Sequence, residues 1–223
     1  MGFVKISDRI LVKSSLVFVL VWGGRLAAPF SYIKTLSLTR KQMKKYKHVY
    51  YMITREQLKG AYSEGEALAI YNEVRIKGDF VGFCRQYMHD DDHQVARNAL
   101  WALTKANKVE MKQLQPLRDT LIELAMSADN SSVRRLSLNL VERLAMKEDE
   151  VRTDFLDFCF QHMVDVQEFP GIQSLCMKLA FRMCKYYPEL MGELKRTVEA
   201  MEMEYYKPAV KCVVNKILSG KMK

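Results

Sequence analysis

Apolar residues recur with helical spacing in four segments of the chain. Each segment has its apolar side chains at positions i, i+3, i+4, i+7 and i+8, which lie on one face of an α-helix. The segments begin 38 or 39 residues apart, at Val95, Val133, Ile172 and Val210. Only two of their twenty apolar-face positions hold polar residues, Asn98 and Ser137. The pattern predicts four related helices that belong to an internal repeat.

Each of these helices follows another amphipathic segment, so the pattern predicts helix pairs. The upstream segments cover residues 79–88, 114–126, 150–164 and 188–203. One pair cannot bury its apolar face alone, whereas stacked pairs form a continuous core. The sequence therefore predicts an all-α fold, an α-α superhelix (solenoid) of about four helix pairs. Residues 78–223 would form this repeat domain, and residues 52–77 would be N-terminal capping helices that include a helix over 64–77 ended by Gly78.

The second helix of the second pair carries a motif that resembles a known family. Asp129 is followed four residues later by Val133, with Arg134 next to it, and then by Leu136 and Leu140. This arrangement resembles the second helix of a HEAT or armadillo-type repeat, and Asp91, Val95 and Arg97 form a looser copy of it. The resemblance implies that the second helices line a concave surface. Carboxylates around Asp91 and Asp129 are expected to cap the helices that follow them.

The basic character of the chain is concentrated at its start. Residues 1–51 hold ten lysines and arginines and one acid, whereas residues 52–223 hold 25 of each sign. The uncharged run over residues 14–24 is shorter than the roughly 20 residues of a membrane-spanning helix. Residues 1–51 are therefore interpreted as a basic extension. A misplaced start, a disordered segment, a signal or membrane anchor, and a genuine basic arm all remain open.

Charge is also divided between the two helices of each pair. Counted over 93–107, 132–147, 171–186 and 208–218, the second helices hold eleven lysines and arginines and one acid. Counted over 79–88, 114–127, 149–164 and 188–203, the first helices hold eleven acids and five lysines and arginines. Opposite the apolar face, the second helices carry the candidate partner-binding residues Arg97, Trp101, Lys105, Arg135, Asn139, Arg143, Lys178, Arg182 and Lys216. Together with the resemblance, this predicts a basic concave surface that binds a protein or an acidic peptide. Because these side chains are expected to be exposed, reversing the charge of Arg97, Arg135 and Arg143 should leave the fold intact.

The sequence offers little catalytic chemistry. It contains no dinucleotide-binding, phosphate-loop, serine-hydrolase or zinc-protease motif, so no catalytic, cofactor or metal residue is assigned. The cluster His89–His93 fits a turn and a helix cap better than a metal site. Five cysteines without a CxxC pair predict a reduced, cytoplasmic protein. Three of the cysteines are expected in the core and two partly exposed, namely Cys84, Cys159 and Cys176 and then Cys184 and Cys212.

Three functions fit these features. The first is a non-enzymatic scaffold, expected to be a monomer, that binds a protein or peptide. The second is a nucleic-acid-binding solenoid, similar in length and in its basic groove to bacterial HEAT-like alkylpurine DNA glycosylases, although Glu142 is the only acid on the second helices. The third is a module that only stabilises a larger assembly. No membrane partner is expected unless residues 1–51 are an anchor.

Overall fold

The computed structural model describes residues 21–22, 25–26 and 53–222. Strands β1 (Val21–Trp22) and β2 (Arg25–Leu26) pair antiparallel, with Val21 opposite Leu26. This pair belongs to one unit of the chain and the helices belong to another, so each is described by itself. The interpretations of residues 1–51 otherwise lie outside the described residues.

The helical unit begins with two helices that carry strong local signals. Helix α1 (Arg55–Lys59) is followed by α2 (Glu64–Lys77), which has the bounds expected from the sequence. Ser63 and Glu66 form a capping box at the start of α2, where each satisfies a backbone N–H of the other. Gly78 ends the helix in the left-handed conformation (φ 75°), which a residue without a Cβ adopts freely.

Four helix pairs follow, as the repeat predicted. The first two consist of α3 (Phe80–Tyr87) with α4 (His93–Leu103), and of α5 (Lys108–Met111) and α6 (Arg118–Ser127) with α7 (Ser131–Arg143). The other two are α8 (Thr153–Val164) with α9 (Pro170–Cys184), and α10 (Pro188–Glu199) with α11 (Pro208–Leu218). Short 3-10 segments occupy Lys112–Leu117, Glu148–Glu150 and Met203–Tyr205. The all-α superhelical fold is confirmed.

Two local details differ from the sequence expectations. The caps around Asp91 and Asp129 lie one residue later, because Asp92 accepts the N–H of Gln94 and Asn130 accepts those of Ser132 and Val133. The expected helix over 114–126 is divided, since Pro116 lies in the 3-10 segment and α6 begins two residues after it. Proline has no N–H for the α-helical ladder, so a new helix starts behind it.

The second helices α4, α7, α9 and α11 form a row in which each contacts the next, and each also packs on the first helix of its own pair. Nineteen of the twenty apolar-face positions are buried, and the exception is Leu218, which is 41% exposed. One continuous core runs through the row. Within residues 53–222, no helix is long and apolar enough to cross a membrane.

The cysteines follow the core with one departure from expectation. Cys84, Cys159 and Cys176 are buried as predicted, and Cys212 is exposed. The prediction of partial exposure for Cys184 is wrong, because α9 is surrounded by α7, α8, α10 and α11. Burial raises the pKa of the Cys84 thiol to about 12 and that of Cys184 to about 11, so both stay protonated near neutral pH.

Candidate partner-binding face

The candidate residues lie along the row of second helices, on the side that the apolar register leaves outward. We call this side the second-helix face, defined by Arg97, Trp101, Lys105, Arg135, Asn139, Arg143, Lys178, Arg182 and Lys216. The structure divides them into side chains that are bonded to a neighbouring repeat and side chains that are not.

The three residues at the start of the face are engaged within the protein. Arg97 is half-buried and donates from Nε to Asn98 Oδ1 at 3.0 Å and from Nη2 to the Ala61 carbonyl at 3.5 Å. Lys105 forms an ion pair with Glu64 at the start of α2. Trp101 is half-buried against the core, with Lys105 Nζ 5.7 Å from the centre of its ring. The expectation that Arg97 is exposed is therefore wrong.

Two arginines repeat one contact at the ends of successive second helices. Arg143 donates from Nη1 to the Thr104 carbonyl at 2.6 Å and from Nη2 to that of Ala106. Arg182 donates from Nη2 to the Leu144 carbonyl at 2.7 Å and from Nη1 to that of Glu142.

These carbonyls lie in the last turn of α7 or directly after the ends of α4 and α7, where helix carbonyls lack partners within the helix and attract positive charge. The two arginines therefore act as inter-repeat clamps that join each second helix to the one before it. Burial lowers the pKa of the Arg182 guanidinium from its ordinary value. The expectation that charge reversal leaves the fold intact therefore stays a prediction for Arg135, which is exposed and makes no such bond to the described residues.

The motif residue Arg134 performs a related task for a first helix. It donates from Nη2 to the Ala128 carbonyl at 2.8 Å and from Nε to the Ala125 carbonyl at 3.3 Å, at the end of α6. Its Nη1 lies 3.6 Å from a carboxylate oxygen of Glu168, which is also 2.7 Å from His162 Nδ1. The repeat motif thus supplies an inward arginine that links two pairs.

The remaining cations of the face collect near its carboxyl-terminal end. Lys178 and Lys216 line a concavity of about 290 Å³ that we call the lysine pocket; its lining residues are Glu142, Lys178, Arg182, Lys216, Lys221 and Met222. Among residues 53–222, no ion pair involves Lys178, Lys216 or Lys221. Lys221 and Met222 were missed by the sequence analysis because they follow the last apolar position. Gly220, directly before them, was the signal that a turn brings them back.

Other candidate chemistry on the first pair is explained by local contacts. Asp90 forms an ion pair with Arg55 at 2.8 Å, and Asp92 forms one with Lys59 at 2.7 Å. The acids between His89 and His93 therefore join α1 to the turn before α4. No group of three or more His, Cys, Asp or Glu side chains suited to a metal ion occurs in the described part of the chain.

The sequence and the structure were compared with known proteins and protein families. A search of curated proteins and a search of solved structures gave no match. A family model described as a HEAT repeat domain matches residues 54–221, which span α1 to α11. The match covers the four helix pairs, the inter-repeat clamps and the lysine pocket up to Lys221. The chain belongs to the HEAT repeat family.

Proposed function

We propose that this HEAT repeat protein is a non-enzymatic scaffold that binds a protein or peptide partner through the second-helix face. The observation that carries the proposal is the set of lysines around the lysine pocket, which form no ion pair with any residue of 53–222 and lie on a continuous row of helices. Solenoids present such rows as extended binding surfaces. A monomer in the cytoplasm, the state expected from the sequence, suits this role.

The second-helix face favours an acidic partner. The second helices α4, α7, α9 and α11 carry eight lysines and arginines and one acid, so an approaching acidic segment is attracted over the whole row. Several of these cations bind carbonyls or carboxylates of the protein itself, which leaves fewer for an incoming ligand. The available charge is local, which suits a short peptide segment better than the long phosphate backbone of a nucleic acid.

The experiment places a photo-crosslinking amino acid at Asn139, half-buried on the second-helix face, in the full chain expressed in cells. A matched variant carries it at Asp157, an exposed residue of α8. We expect a discrete protein adduct from position 139 and none of the same size from position 157. Equal adducts from both positions, or none from position 139, would contradict the proposal.

A second measurement tests the alternative hypothesis that the protein binds nucleic acid. Labelled single-stranded and double-stranded DNA are titrated with the full chain at two salt concentrations. Neutralised phosphates release counterions, so a nucleic-acid solenoid would lose affinity steeply as salt rises. We expect weak binding without preference for either form. Tight binding with a steep salt dependence would replace the scaffold by a nucleic-acid-binding function.

A further inference from the structure

We infer that the lysine pocket is a binding site for the carboxylate groups of an acidic peptide segment. The inference rests on the proposed function and deepens it, because it names the part of the second-helix face that holds the partner and the chemical group that is held.

Helix α11 ends in a Schellman motif. The N–H of Lys221 donates to the Lys216 carbonyl at 2.9 Å, and the N–H of Gly220 donates to that of Ile217 at 3.2 Å. Gly220 has a φ of 67°, in the left-handed region that this motif requires. The motif turns the chain back over the last turn of α11, so that Lys221 lines the same pocket as Lys216.

The two lysines occupy positions that a Schellman motif usually fills with apolar side chains. Its outer residue commonly makes a hydrophobic contact with a residue in the last turn of the helix. Here Lys216 and Lys221 hold those positions, and the turn brings two like charges towards one pocket. Like charges in such proximity lower stability. Local rules are most often broken where a site has a function, so this pair points to an anionic ligand that offsets the repulsion.

The remaining walls make the pocket cationic. Lys178 of α9 adds a third lysine without an ion pair, and Arg182 adds a positive charge that its bonds to the Glu142 and Leu144 carbonyls hold in place. Glu142 supplies the single negative charge. A ligand therefore meets four cations against one acid, in a pocket that is partly preorganised by the clamp of Arg182.

The pocket suits a carboxylate better than a phosphate. Phosphate sites commonly use the free N–H groups at helix N-termini, or the paired donors of an arginine. This pocket lies near the carboxyl-terminal ends of α7, α9 and α11, where the negative ends of the helix dipoles repel a highly charged anion. The two Nη groups of Arg182 already donate to the Glu142 and Leu144 carbonyls. Three flexible ammonium groups in about 290 Å³ match one or two carboxylate side chains of a peptide.

The test measures binding of a fluorescein-labelled hexaglutamate peptide to the full chain by fluorescence anisotropy. The double variant K216Q/K221Q removes two pocket charges. The control K195Q/K207Q removes two charges from exposed lysines outside the pocket lining. We expect the pocket variant to bind about tenfold more weakly, because two of the cations that attract the carboxylates are lost, and the control to bind nearly as the natural chain does.

Two further readouts separate a binding role from a structural one. K216Q/K221Q should have a Tm equal to or above that of the natural chain, because the repulsion between the two lysines is removed. The variant G220A removes no charge, yet it disfavours the left-handed turn that brings Lys221 back, so we expect it to bind hexaglutamate more weakly. A fall in Tm of K216Q/K221Q together with weaker binding would assign the two lysines a structural role and overturn the inference.

Each outcome distinguishes this inference from the proposed function. Equal weakening in the pocket and control variants would show that only net charge matters, and would overturn the inference. If pyrophosphate displaces the labelled peptide at a lower concentration than unlabelled hexaglutamate does, the pocket binds phosphate and not carboxylate, and the inference is overturned. If the crosslink at position 139 persists while K216Q/K221Q binds hexaglutamate as tightly as the natural chain, the proposed scaffold function is kept and the assignment of the pocket is wrong. If the crosslink also disappears, both fail.

Discussion

The two ends of the second-helix row treat their polar groups in different ways. At the amino-terminal end, α1 and α2 cover α4, and their carbonyls and acids bind Asn98, Arg97 and Lys105. At the carboxyl-terminal end, α11 packs on α9 and α10 and exposes Leu218 and Lys216. Polar residues at the first end join helices to one another, whereas Lys216 at the other end forms no ion pair with any residue of 53–222.

The difference shows that the two roles belong to different places in the repeat, since Lys216 lies four residues earlier in its helix than the place that Lys105, Arg143 and Arg182 share. Lys105, Arg143 and Arg182 occupy the same place in three successive second helices, and each reaches about one repeat back to a carbonyl or a carboxylate. Lys216 occupies an outward place on the last helix and has no such partner in the described residues. A cation on this face is structural where an unsatisfied acceptor lies behind it, and free where none does.

The largest expected effect is at Asn98. This fully buried side chain donates from Nδ2 to the Leu58 carbonyl at 2.6 Å and to the Ala61 carbonyl at 2.9 Å, which ties α4 to the end of α1. N98A leaves both carbonyls without this donor and opens a small cavity. We expect a loss of about 3 kcal/mol in the free energy of unfolding, measured by urea denaturation.

The control for this change is Asn139→Ala, which alters a half-buried asparagine on α7. It should change the free energy of unfolding by about 0.5 kcal/mol or less, as surface substitutions commonly do. If the two variants lose equal stability, the amino-terminal end of the row is not held together by Asn98.

The next largest effect is at the inter-repeat clamp of Arg182. R182A removes the donors to the Glu142 and Leu144 carbonyls at the end of α7. We expect a loss of about 2 kcal/mol in the free energy of unfolding, since two partly buried hydrogen bonds from a charged group disappear. K178A, one turn earlier in α9, removes an equally charged side chain without such bonds and should lose far less. Equal losses of stability in R182A and K178A would show that the hydrogen bonds of Arg182 do not stabilise the fold.

The sequence predicted most where the signals were local. The end of α2 was expected because Gly78 directly follows it, and the capping box of Ser63 and Glu66 that the structure shows at its start is an equally local signal. The outward position of Arg143 and Arg182 also follows from the helical period. Their bonds could not be predicted, because they depend on carbonyls 37 to 40 residues earlier that become neighbours only after the repeats stack.

Burial and the lysine pocket show the same limit. Cys184 was expected to be partly exposed, yet the helices around α9 bury it completely. Lys221 has no place in the apolar register, so a search by period could not find it. Only the backbone turn at Gly220 brings it beside Lys216 in the pocket.

A smaller effect of opposite sign is expected at Ser137, in the middle of the row. This side chain is fully buried, and among the described residues its Oγ has no hydrogen-bond partner. The equivalent position of α4 is Ala99, which is also buried. We expect S137A to raise the free energy of unfolding by about 1 kcal/mol, because the cost of burying an unpaired hydroxyl is removed. A loss of stability in urea denaturation would show instead that the hydroxyl is bonded in solution.

The smallest effect concerns acid stability at the amino-terminal end. The hydrogen bond from Arg55 lowers the pKa of Asp90, and that from Lys59 lowers the pKa of Asp92. Each pair therefore stabilises the fold fully above the ordinary aspartate pKa of about 4, and this contribution is lost as the pH falls through the lowered value. The natural chain should lose more Tm between about pH 5 and pH 3 than the variant D90N/D92N.

The substituted chain is a matched control because asparagine keeps the side-chain oxygen that caps α4 at position 92, so the carboxylate charges are removed and the cap remains. The advantage of the natural chain should therefore be greatest near neutral pH and vanish in acid. Two curves that stay parallel over this range would show that the ion pairs do not hold α1 against the turn before α4. In that case α1 would be held on α4 by Asn98 and the apolar core alone. At α1, the difference from the carboxyl-terminal end of the row would then lie in hydrogen bonds and not in charge.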